Sequence, residues 1–229
     1  DTERKEYVIT RADTPLPWIN YLGTKDFFSM ISQTAGGYSF MVDARKQRIT
    51  RYRYNNVPID AGGRYLYIRD QESGEYWSPG WMPVKASMDR YECRHGIGYS
   101  VVSGERDGVR CSTRYFVPVE EPVEVWECTL SNTGDTEKPI SLFSFVEFCT
   151  WEALNDMTNL QRTLNLGEVE IDGSVIYHTS EYRERRNHFA FFGCSEQIEG
   201  YDTDRDVFLG NYRGFHEPLV VQRGKPSMS

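Results

Sequence analysis

Val109-Arg110-Cys111-Ser112-Thr113-Arg114-Tyr115-Phe116-Val117 decides the fold class. Val109, Cys111, Thr113, Tyr115 and Val117 fall on one side of an extended chain, and Arg110, Ser112 and Arg114 on the other. A period of two marks a strand with one buried face. Working outward, Ile140 to Phe148 sets Ile140, Leu142, Val146 and Phe148 on one face and Phe143 and Phe145 on the other. Apolar residues on both faces predict a strand covered on both sides. Arg48 to Tyr54 interleaves Arg48, Arg51 and Arg53 with Ile49, Tyr52 and Tyr54, and Arg64 to Arg69 repeats the style.

Turn residues punctuate the chain at Gly36-Gly37, Asn55-Asn56, Gly62-Gly63, Ser78-Pro79-Gly80, Asp107-Gly108, Asn132-Thr133-Gly134, Asp172-Gly173 and Gly224-Lys225-Pro226. The segments between them are short and rich in Val, Ile, Thr, Tyr and Phe. No window sustains a 3.6-residue stripe. Thr24 to Thr34 reads as a short helix capped by Thr24, and Trp151 to Asn159 as one helical turn or an irregular loop. Many short strands about ten residues apart predict an all-β chain, a large antiparallel sandwich with few short helices.

At 229 residues the chain is long enough for one large domain, with 39% apolar and 26% charged residues and a net charge of -8. That acidity disfavours a nucleic-acid partner, which needs a basic face, and attachment to an anionic membrane surface. No apolar run approaches the roughly 20 residues of a membrane span. The 15 Tyr, 12 Phe and 5 Trp suit β-sheet and also sugar-binding surfaces. Five widely spaced cysteines, Cys93, Cys111, Cys128, Cys149 and Cys194, form no C-x-x-C pair. With no glycosylation sequon, no apolar h-region and no twin-arginine signal in this sequence, they predict free thiols and a cytoplasmic setting. The chain begins at Asp1 and ends in a polar tail, and is read as a piece of a longer protein.

Chemistry-bearing residues give weak signals on their own. Cys93 and His95 are two apart on an expected strand, but no third ligand stands at a metal-site spacing, and no metal is expected. Carboxylates are plentiful, among them Glu147, Glu152 and Asp156, yet nothing singles out a catalytic pair. Asp202-Thr203-Asp204-Arg205-Asp206 opens like a calcium loop but lacks its glycine and distant glutamate; a solvated turn with Arg205 pairing locally fits better. Alternation sets some of Arg45, Arg48, Arg51, Arg53 and Arg64 on a covered sheet face, where they need carboxylate partners. Arg183-Glu184-Arg185-Arg186-Asn187-His188 mixes charge too closely for a simple solvated face.

Longer segments carry a resemblance. Pro17-Trp18-Ile19-Asn20-Tyr21-Leu22-Gly23, Ala35-Gly36-Gly37-Tyr38-Ser39-Phe40 followed by Asp43-Ala44-Arg45, and Arg48 through Asn56 are of this kind. So are Gly62-Gly63-Arg64-Tyr65, Trp77-Ser78-Pro79-Gly80-Trp81, Glu92-Cys93-Arg94-His95-Gly96, Leu142 through Phe148, and Glu181 through His188. In series they resemble the inverting cellobiose phosphorylases, along essentially the whole chain.

That resemblance implies an N-terminal β-super-sandwich spanning residues 1–229 and cut short at its C-terminal end. A helical linker, an (α/α)6 catalytic barrel and a small C-terminal β-domain would follow. The implied reaction converts cellobiose and phosphate to α-glucose 1-phosphate and glucose, with phosphate as substrate and no cofactor. The catalytic acid and phosphate site are implied to lie in the barrel, so no catalytic residue is expected here and the chain alone is expected to be inactive. The family's enzymes are homodimers in which a sandwich loop reaches the other subunit's active site. Trp151 to Arg162 matches that loop. By the same resemblance Gln161 and Arg162 contact the acceptor sugar, Asn159 lies close by, and Glu152 stands where the cellobiose enzymes carry Asn. Met41-Val42 likewise replaces a Tyr followed by a basic residue. Glu152 therefore bears on acceptor choice. Two other readings stand beside this one: a carbohydrate-binding or interaction module without chemistry, and a related phosphorylase with a different acceptor, such as cellodextrin or chitobiose.

Overall fold

The computed structural model describes residues 1–51, 62–158, 166–182 and 185–228. In chain order the strands are β1 (Tyr7–Ile9), β2 (Ile19–Thr24), β3 (Phe27–Ser32), β4 (Gly37–Met41), β5 (Arg48–Thr50), β6 (Arg64–Asp70), β7 (Tyr76–Trp77) and β8 (Arg90–Gly96). They continue with β9 (Tyr99–Arg106), β10 (Val109–Phe116), β11 (Val125–Asn132), β12 (Ile140–Val146), β13 (Phe148–Trp151), β14 (Leu166–Asp172), β15 (Val175–Tyr182) and β16 (Arg185–Gly193). Among the described residues the helices are short: α1 (Ala153–Thr158), α2 (Arg205–Leu209) and α3 (Leu219–Arg223). The chain is all-β in class, as expected. The strands form sheets of order β1-β8-β9-β10-β11, β13-β5-β4-β3-β2, β12-β6-β7 and β14-β15-β16, and the pairings described are antiparallel.

β10 behaves as its alternation predicts: Val109, Cys111, Thr113 and Tyr115 are buried while Arg110 and Arg114 are exposed. Its turn from β9 is Asp107-Gly108, with φ of 50° and 75°. Two successive positive φ values match the right-handed strand twist in a two-residue hairpin, and glycine meets that demand at no steric cost.

Thr24 to Thr34 is not a helix. It is the second half of a two-residue hairpin: Thr24 pairs with Phe27, Lys25 turns the chain at φ 58°, and β3 runs on to Ser32. Phe27, Ser29 and Ile31 are buried and alternate with half-buried Phe28 and Met30. The period is two, and the positive φ at Lys25, which no propensity announces, removes the helical start.

Three apolar clusters hold the layers. Leu22, Phe27 and Ile31 of one five-stranded sheet pack on Cys93, Val102, Tyr115 and Val117 of the other. Ile68 and Trp77 pack on Val109 and Cys111. On the opposite face of β6, Tyr65 and Tyr67 join Phe145 against Phe208, Leu209, Val220 and Val221 of α2 and α3. β6 is thus covered on both faces, which explains why its residues 64–68 are all buried. β12 differs from expectation: Phe145 is buried, but Leu142 on the other face is 42% exposed.

The expected free thiols are found. Cys93, Cys111 and Cys149 are buried, Cys128 is half-buried and Cys194 is exposed. Cys111 and Cys128 approach to 3.4 Å between sulfurs without a bond. Thiol titration of unfolded, non-reduced protein is expected to count five; a count of three would mean that this pair had closed.

Candidate functional site

The loop singled out by sequence leaves β13, passes through α1 and rejoins the fold at β14. β13 is the edge of its sheet, held to β5 by Phe148–Thr50 and Trp151–Arg48 pairing. Phe148 stacks on His178 of β15, with ring centroids 4.8 Å apart, so the loop springs from the seam between two sheets. Burial of the His178 imidazole lowers its pKa, because a charged ring there would lose its hydration.

Charge ties α1 to the sheet beneath it. Arg51, directly after β5, has its guanidinium between two carboxylates: it donates to Glu147 and its Nε lies 2.9 Å from Asp156 Oδ2. The side chains of Arg51 and Asp156 are each 5% exposed. Arg205 of α2 reaches Glu147 at 3.4 Å and Asp206 at 3.6 Å. Two guanidiniums therefore meet the Glu147 and Asp156 carboxylates, which keeps the cluster close to neutral. At the mouth of the loop Glu152 pairs with Arg45 at 2.8 Å, and the Ala153 N–H donates to the Arg45 carbonyl at 2.7 Å.

Backbone geometry below the cluster is equally close. Arg51 N–H donates to the Glu147 carbonyl, Gly63 N–H to the Arg51 carbonyl and Glu147 N–H to the Gly63 carbonyl. A Cβ on Gly63 would stand 2.7 Å from both the Arg51 and the Glu147 carbonyl oxygens, so only glycine fits where the three chains meet.

Of the sequence-predicted site residues, Asn159, Gln161 and Arg162 lie outside the described residues. Glu152 is described, partly buried and engaged by Arg45. Of the arginines expected to need carboxylate partners, Arg51 and Arg64 are buried against them, Arg45 pairs with Glu152 from an exposed position, and Arg53 lies outside the described residues. Arg64 meets Glu124, whose carboxylate also accepts from Ser39 and from Trp126 Nε1. Arg48 lies 3.7 Å over the Tyr38 ring and donates from Nε to the Ala44 carbonyl at 2.7 Å. What the sequence did not show is which carboxylate belongs to which arginine.

The other candidates have structural roles. His95 contacts Ser100 Oγ at 2.8 Å and the Trp18 carbonyl at 3.1 Å, and Cys93 packs beside it. Among the described residues no three His, Cys, Asp or Glu side chains are grouped to hold a metal ion. Asp204 caps α2 through the Asp206 N–H at 2.7 Å, and Asp202 accepts from the Ser227 N–H at 2.9 Å. The run from Arg183 to His188 falls at the β15–β16 turn, where Arg183 and Glu184 lie outside the described residues. No helix among the described residues is long and apolar enough to cross a membrane.

Comparison with known proteins adds a whole-chain match. Residues 5–229 match the family model described as glycosyl hydrolase 94, supersandwich domain. The chain is 40% identical, over 100% of its length, to N,N'-diacetylchitobiose phosphorylase of Vibrio proteolyticus, and covers 29% of that protein. It is 38% identical over its whole length to the enzyme of that name from Vibrio furnissii, again covering 29%. It is 35% identical over 98% of its length to solabiose phosphorylase of Paenibacillus borealis, covering 29%.

Proposed function

The chain belongs to the glycosyl hydrolase 94 supersandwich-domain family, and from that premise we propose that it is the sandwich portion of an inverting disaccharide phosphorylase. The observation that carries this reading is the unbroken match from residue 5 to 229. The chain spans 29% of the length of the relatives it matches, so the activity concerned is that of a longer protein. In that protein a phosphate oxygen bonds to the anomeric carbon as the glycosidic C–O bond breaks, and an acid from outside this chain protonates the leaving sugar oxygen. Phosphate takes the place that an activated water has in an inverting hydrolase. No cofactor is required, since phosphate is already a nucleophile.

This chain's share is the 151–162 loop, which in the proposed homodimer crosses to the other subunit's acceptor subsite. Gln161 and Arg162 donate to sugar hydroxyls there, with Asn159 alongside. The sugar we favour is N-acetylglucosamine rather than the glucose of the cellobiose reading. Two relatives named for N,N'-diacetylchitobiose support it, and so does Glu152. A carboxylate accepts hydrogen bonds, and an acetamido N–H is a donor that glucose lacks.

The test is acceptor profiling of the full-length protein. Phosphate-dependent cleavage of N,N'-diacetylchitobiose is expected to exceed that of cellobiose by about tenfold or more, the worth of one hydrogen bond of about 1.4 kcal/mol. Preference for cellobiose would restore the glucose reading. Cleavage without consumption of phosphate, or sugar binding without turnover, would overturn the phosphorylase reading in favour of a hydrolase or a binding module.

A further inference from the structure

We propose that the buried Arg51–Glu147–Asp156 cluster is the positioning element that sets the orientation of α1, at the start of the 151–162 loop, and so governs acceptor binding without touching the sugar. This inference rests on the acceptor-side reading of that loop given above.

α1 is too short to stand alone. It has six residues, far below the ~12–15 at which an isolated helix becomes even marginally stable in water. Something outside it must hold its place. Ala153 is buried, but the directional contacts described for α1 and its lead-in are polar: Asp156 to Arg51, Glu152 to Arg45, and the Ala153 N–H to the Arg45 carbonyl.

The arginine's shape matters. A guanidinium is a rigid plane with donors on separate edges. Arg51 donates from Nη1 to Glu147 and from Nη2 to the Asp156 backbone carbonyl at 3.5 Å, while its Nε lies 2.9 Å from Asp156 Oδ2 as a charge contact without hydrogen-bond geometry. Glu147 sits in the link between β12 and β13, where its own backbone is bound to Arg51 and Gly63. The angle of α1 is therefore referred to the sheet through one planar group. Buried ion pairs contribute little net stability compared with apolar packing, but they do impose geometry. Asn159 stands three positions after Asp156 in sequence, so α1 leads directly into the residues assigned to the acceptor.

The experiment compares acceptor and donor in the full-length protein, in the synthetic direction. Asp156→Asn keeps the shape and removes the charge that Arg51 grips. A misplacement of 1 Å can cost about 10²-fold, so a partial shift is expected to raise the acceptor KM about tenfold. The KM for the sugar 1-phosphate should stay within about twofold, since the loop does not serve the donor. Arg51→Lys keeps the cation and loses the fork; if geometry is the role, lysine does not rescue the acceptor KM.

If Asp156→Asn fails to fold, Arg45→Ala gives the same reading from the exposed rim, where the Arg45 side chain is 61% exposed. About a threefold rise in acceptor KM alone is then expected, a partial form of the same displacement cost. Unchanged acceptor KM in the folded variants, with only a lower melting temperature, would overturn the proposal and leave the cluster a structural one. Arg162→Ala separates the two ideas. If it weakens acceptor use while Asp156→Asn and Arg45→Ala do not, the positioning proposal alone fails. If Arg162→Ala also spares the acceptor, the loop assignment itself is wrong.

Discussion

Glu124→Ala is expected to destabilise the fold by about 3–5 kcal/mol, the cost of leaving a buried charge without its partner. The side chains of Arg64 and Glu124 are 2% and 7% exposed. The carboxylate accepts from Arg64, from Ser39 and from Trp126 at once. Removing it leaves the guanidinium without a counter-charge, with Nη1 held only by the neutral Ser29 Oγ at 3.1 Å. The rest of Arg64 stays committed to backbone carbonyls, with Nη2 2.6 Å from Met30 O and Nε 3.2 Å from Ala35 O. The cation therefore cannot swing out to water without breaking those contacts as well. For a chain of this size the loss corresponds to about 6–20 °C in melting temperature, read by calorimetry or by urea unfolding. Arg64→Met combined with Glu124→Leu should cost markedly less than Glu124→Ala, because no charge is then left buried alone. A loss below about 1 kcal/mol for Glu124→Ala would mean that the pair is hydrated, as at a protein surface.

Arg162→Ala in the full-length protein is expected to lower kcat/KM for the acceptor sugar about ten- to a hundredfold in the synthetic direction. A hydrogen bond from a charged donor contributes about 1.5–3 kcal/mol, and each 1.4 kcal/mol is tenfold. The KM for the sugar 1-phosphate should stay within a few-fold, and on the proposed acceptor-side role thermal stability should change little, because a side chain spent on substrate holds no core together. If the variant instead loses several kcal/mol of stability while the folded enzyme keeps its acceptor affinity, Arg162 is a structural ion-pair partner.

How legible all this was in the sequence depends on the distance over which each contact acts. The β10 pattern is local, each residue's face following from its neighbours, and it reads correctly. Burial of Arg48, Arg51 and Arg64 also follows from alternation on a covered face. Their partners do not: Glu124 is 60 positions from Arg64, and Glu147 is 96 from Arg51. Only the crossing of the sheets brings them together, and one sequence contains no record of that crossing. The helix expected at Thr24 failed for the opposite reason. Its start residues are sound helix starters, and a single φ of 58° at Lys25, set by the hairpin, overrode them. Family likeness is the sole source of the acceptor-side assignment of the 151–162 loop, whose Asn159, Gln161 and Arg162 lie outside the described residues. The charged footing beneath α1 became visible only in three dimensions, although each of its members had been noticed separately as an arginine or a carboxylate.

The three-chain junction at Gly63 has a mechanical consequence. Three backbone hydrogen bonds link Arg51, Gly63 and Glu147 in a closed triangle that bridges the roots of β5, β6 and β12. Sliding any one of these strands along its axis would strain two sides of that triangle together, so a shear is resisted at a single point rather than along a seam. α1 therefore stands on a stiff pedestal, and a push on it is carried into two sheets at once instead of being absorbed by a pliant edge.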